Sequence, residues 1–84
     1  MNNYDYSPEE LKIIMDIANE HKIPISLGEN SITIHSQQDF KPLMVFSTSG
    51  FNILIDPNLN NIDYRREISN ISKIFMQEQV TIKS

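Results

Sequence analysis

The sequence predicts an α+β fold: an N-terminal helix, a four-stranded antiparallel sheet made of two hairpins, and a C-terminal helix on the same sheet face as the first. Three observations carry this. Apolar residues recur at helical spacing toward both ends of the 84-residue chain. The spacing changes to strict alternation between residues 23 and 56. Turn-forming clusters at 28–30 and 48–50 cut that alternating stretch into strands.

The first helix has an explicit start in "YSPEELKIIM". Ser7 is an N-cap residue, Pro8 suits the first helical position, and Glu10 completes a capping box. Tyr6 and Leu11 occupy the two positions of a hydrophobic staple, and Glu9 and Glu10 suit the positive end of the helix dipole. Leu11, Ile14, Met15 and Ala18 form the apolar stripe, which Ile17 widens. His21 and Lys22 fill the last turn before Pro24, so the predicted span is 8–22.

After Pro24 the period is two. "IPISL" sets Ile23, Ile25 and Leu27 on one face, and "SITIH" sets Ile32 and Ile34 inward with Ser31, Thr33 and His35 outward. "GEN" joins them as a hairpin turn, and Pro24 marks the first strand as an edge, since proline cannot donate to a ladder. A polar connection, "SQQDFKP", leads to a strand at 43–48 and then to "FNILID", where Phe51, Ile53 and Ile55 share a face. In the strand at 43–48, either Met44 and Phe46 or Leu43 and Val45 point inward; alternation does not choose.

Between these strands lies Thr48-Ser49-Gly50. A phosphate-cradling loop would run from a strand into a helix and carry more glycines or a following lysine. A serine nucleophile would need a histidine base, and no motif places His21 or His35 to serve. Gly50 supplies the positive φ of a turn followed by a bulge, so the cluster is a hairpin turn.

Asp56-Pro57 closes the last strand of the sheet. Tyr64, Ile68, Ile71 and Phe75, with Ile74 beside them, define a second helix over 61–78, capped by Asn60 or Asn61. "VTIK" at 80–83 alternates again and is a short strand or a tail.

Composition narrows the function. Eighty-four residues amount to one domain near the lower size limit for a single hydrophobic core. There is no cysteine, which rules out disulfides, zinc–thiolate sites and thiol catalysis. No apolar run approaches the roughly 18 residues that a membrane helix needs, and residues 1–20 lack the basic start and apolar core of a signal peptide. A cytoplasmic protein with no membrane association is the expectation. The net charge of −4 sits wholly in residues 1–20, where Asp5, Glu9, Glu10, Asp16 and Glu20 face Lys12 alone. Such a chain repels phosphate backbones, which weighs against nucleic acid as a partner. Fourteen isoleucines and nine asparagines, against two glycines and no tryptophan, are the composition of an AT-rich coding sequence.

Two surfaces remain as candidates. On the first helix, Glu9, Asp16 and Glu20 line up opposite the apolar stripe, with Ile13 among them where an apolar residue gains nothing from water. On the second helix, Arg65, Arg66 and Lys73 give a mildly basic face, with Arg65 and Arg66 opposing the dipole. The order of elements is comparable to that of the double-stranded-RNA-binding domain. The lysine cluster that such domains carry at the start of their second helix is absent from "DYRREI", and no family is assigned. Neither histidine shares a metal-ligand spacing with an acid pair, so no catalytic centre, metal or cofactor is expected. The expectation is a small non-enzymatic module whose acidic helix meets a basic surface on another protein, an inhibitor or regulator from a phage or other mobile element. Two alternatives stand beside it: a nucleic-acid-binding domain using Arg65, Arg66 and Lys73 with His35, and a homodimer pairing through its sheet.

Overall fold

The computed structural model describes residues 6–55 and 62–82, and α1 (Pro8–Glu20) begins where its capping box places it. The Glu10 N–H donates to Ser7 Oγ at 3.1 Å, and the Ser7 N–H donates to Glu10 Oε1 at 3.0 Å. Each bond satisfies a backbone donor that the first helical turn leaves without a partner. Tyr6 and Leu11, the staple residues, are both buried.

The helix stops at Glu20, two residues short of the predicted span. Lys22 takes a φ of 58°, which turns its N–H onto the Asn19 carbonyl at 3.2 Å and the Ile23 N–H onto the Ala18 carbonyl at 2.8 Å. The two bonds form a Schellman motif, so the backbone at Lys22 ends the helix before Pro24 is reached. α2 (Ile62–Gln77) ends the same way: Gln79 takes a φ of 68°, and the Gln79 and Val80 N–H groups bond the Met76 and Phe75 carbonyls. This helix is shorter than the predicted 61–78, and its proposed caps, Asn60 and Asn61, lie outside the described residues. A left-handed conformation strains any residue with a Cβ. Lys22→Gly should therefore stabilise the domain by about 0.5–1 kcal/mol in urea denaturation, after the added freedom of the unfolded chain is counted. A loss of stability would show that the lysine stem contributes more than the strain.

The sheet is antiparallel in the order β1 (Ile25–Leu27), β2 (Ser31–His35), β3 (Pro42–Ser47), β4 (Gly50–Ile53). β1 is the edge strand that Pro24 marks. Ile32 pairs with Phe46, Ile34 with Met44, and Phe46 with Phe51, so Met44 and Phe46 take the inward face that alternation left open. Leu43 is buried as well, because the register shifts between Ile34 and His35. Met44 pairs with Ile34 and Pro42 with His35, which leaves Leu43 as the extra residue of a bulge and breaks the alternation. Leu27 lies at the end of β1 and is exposed, despite sharing the inward parity of Ile25.

Ser47 pairs with Gly50, leaving Thr48 and Ser49 as the turn, and Gly50 takes the positive φ, 131°. The Ser47 hydroxyl lies 2.9 Å from that of Ser49, donates to the Gly50 carbonyl at 3.1 Å and accepts the Ser49 N–H at 3.2 Å. These hydroxyls are engaged in shaping the turn.

Both helices pack on one sheet face around Phe46. Its ring meets Tyr6 at 5.2 Å, Phe51 at 5.0 Å and Phe75 at 5.5 Å, each edge to face. Ile14, Ile17 and Ala18 of α1 and Tyr64 and Ile71 of α2 complete the core. Residues 80–82 form no strand; Val80 and Ile82 pack against the core, and the Tyr6 hydroxyl donates to the Thr81 carbonyl at 2.9 Å.

Candidate functional site

Glu9, Ile13, Asp16 and Glu20 recur at intervals of four, three and four residues, which sets them on one stripe of α1. The structure exposes all four, with Ile13 50% exposed on the side away from the core. The segment after α2 lies alongside this stripe. Glu10, Ile13, Glu78, Gln79, Val80 and Thr81 line a groove of about 270 Å³ between the two.

Glu78 therefore joins the acidic surface, a placement that sequence distance concealed. At the far end of α1, ligand-type atoms of Glu20, His21 and Glu78 all lie within 4.8 Å of one another, and His21 Nε2 is 3.8 Å from Glu78 Oε1. The histidine thus gains, beside Glu20, a second acidic neighbour in Glu78 that its sequence position did not reveal. All three side chains are exposed, so water competes at each of them.

Arg65, Arg66 and Lys73 are also exposed. Arg66 does not stand in a basic patch: it lines a shallow groove with Asp63 and Glu67, together with Gln37, Gln38 and Asn70. Acids offset it, whereas on α1 Lys12 alone stands beside the acidic stripe, next to Glu9 and Asp16.

Sequence reasoning missed the way α2 holds the connection between β2 and β3. Ser36 is fully buried and donates its hydroxyl to Glu67 Oε1 at 2.7 Å. The Gln37 N–H donates to Glu67 Oε2 at 2.7 Å, and Gln38 Nε2 donates to Oε1 at 3.2 Å. Tyr64 donates its hydroxyl to Asp39, which holds that carboxyl below the usual range and pushes the phenol up in turn. The loop carries Phe40 at a φ of 62° and 67% exposed.

His35 sits at the base of this loop. A carbonyl only accepts, so the 2.8 Å contact to the Phe40 oxygen fixes the proton on Nδ1. Nε2 lies 2.7 Å from the Ser26 hydroxyl, which can donate to it or accept from it. The pair ties the edge strand to the loop. Ser26 stands exposed on a sheet face and outside the grooves described above.

Among the described residues, no helix is long and apolar enough to cross a membrane. Compared with known proteins, the chain matches no family model, no curated protein and no solved structure.

Proposed function

We propose that this chain is a small, non-enzymatic protein-binding module that works in the cytoplasm by occupying a basic surface of another protein. The observation that carries the reading is the exposed stripe of Glu9, Asp16 and Glu20 around Ile13, which Glu78 extends from the opposite end of the chain. Aligned carboxylates imitate the charge spacing of a phosphate backbone, and an apolar residue among them gives an interface something to desolvate. Small size and AT-rich composition fit an inhibitor or regulator carried by a phage or other mobile element.

The test is charge reversal. Asp16→Lys with Glu20→Lys should leave the fold within about 0.5 kcal/mol of wild type, because both side chains are in solvent. Affinity for the partner, recovered from native cells and then purified, should fall at least tenfold, and wild-type affinity should drop as salt rises. Arg66→Glu with Lys73→Glu should bind that partner normally. Salt-sensitive binding of wild type to duplex DNA or RNA, abolished by the second pair and untouched by the first, would replace this reading with the nucleic-acid one.

A further inference from the structure

The groove between α1 and residues 78–81 has a composition of its own. Ile13 and Val80 supply apolar surface, and Glu10 and Glu78 supply carboxylates. Glu20 stands beyond Glu78, within the same cluster of ligand-type atoms. α2 ends here with no basic residue in its last turn, whereas His21 and Lys22 directly follow α1. The carbonyl end of α2 thus adds negative potential to that of the acids. At about 270 Å³ the groove falls below the roughly 300–1,000 Å³ of pockets that enclose whole small molecules, and suits one long side chain.

We propose that the groove is the seat of a single arginine side chain from the basic partner, an inference that rests on the acidic-face reading above. The aliphatic stem lies over Ile13 and Val80, as long cationic side chains cover apolar surface while their heads stay at charged groups. The guanidinium meets the Glu78 carboxylate, now held 3.8 Å from His21 Nε2. Arginine fits better than lysine, because its planar head is weakly hydrated and pairs with a carboxylate through two parallel bonds. Ile13, exposed to no benefit in the isolated domain, becomes part of the floor.

The experiment is a titration of the ¹⁵N-labelled full chain with hexa-arginine peptide at low salt, followed by amide shifts. The amides of Ile13 and of residues 78–81 should move and saturate. Glu78→Gln should weaken binding at least fivefold, whereas Glu29→Gln, which removes the same charge from the exposed turn between β1 and β2, should weaken it less than twofold. Hexalysine should bind several-fold more weakly; equal affinity would overturn the arginine assignment. Shifts confined to Glu9, Asp16 and Glu20, with the two single variants equivalent, would overturn the groove and leave the acidic face standing. Groove amides that saturate alike in wild type and in Asp16→Lys with Glu20→Lys would overturn the acidic-face reading and leave the groove. No saturable shift anywhere would overturn both.

Discussion

Phe46→Ala should cost about 3–5 kcal/mol of stability. Phe46 is fully buried, and its ring is the one that touches Tyr6, Phe51 and Phe75 together. Removing it opens a cavity among the start of α1, the sheet and α2, three elements that cannot all close inward at once. Small domains hold only about 5–15 kcal/mol in total, and one this size sits near the bottom of that range. The variant should therefore be largely unfolded at low urea, or at 37 °C. Phe40 is the matched control, being of the same residue type but in solvent. Phe40→Ala should stay within about 0.5 kcal/mol of wild type. Equal losses from the two would mean that the core is not centred on Phe46.

Glu67→Ala should also be damaging, at about 2–4 kcal/mol, by a different mechanism. The substitution removes little apolar contact. It takes away the acceptor of three hydrogen bonds from Ser36, Gln37 and Gln38, and leaves the Ser36 hydroxyl buried without it. Bonds to a charged acceptor contribute about 1.5–3 kcal/mol each when removed singly, and three that share one carboxylate do not add. Glu67→Gln keeps one oxygen and should recover part of the loss. Hydrogen exchange gives the sharper measurement: the Gln37 and Gln38 amides should lose protection in Glu67→Ala while the Ile32 and Ile34 amides keep most of theirs. Uniform loss over loop and sheet would mean that the carboxylate supports the whole fold and not this connection.

These two residues also mark what can be read from sequence and what cannot. Local signals act within a few residues, and they placed the capping box at Ser7, the alternation of Ile32 and Ile34, and the turn at Gly50. Phe75 was legible through its helical spacing. Glu67 was not, because its partners are about thirty residues away and a glutamate on a helix looks the same whether it meets water or a loop. Both helix ends were misplaced for a related reason. The usual mark of a Schellman motif is glycine, and this chain uses Lys22 and Gln79 there. The bulge that turns Leu43 inward leaves no trace in a strand rich in apolar residues on both faces. In the candidate site, the stripe on α1 followed from a helical wheel. Glu78 joined it only through the packing of the C-terminal segment, which no wheel contains.

The bond from the Tyr6 hydroxyl to the Thr81 carbonyl spans 75 residues of chain. Closing a loop of that length costs about 3–4 kcal/mol in chain entropy, so the contact belongs to the last stage of folding, after the sheet has brought the two ends near. It has a consequence for synthesis on the ribosome. Tyr6 is made 75 residues before Thr81, so this bond forms only after the sheet and α2 have been translated. Until then α1 has its cap and its apolar stripe, but not yet Phe75 to meet the ring of Phe46. The nascent chain is thus an incomplete layer with an open apolar face, which shuts only after α2 and the segment behind it have emerged.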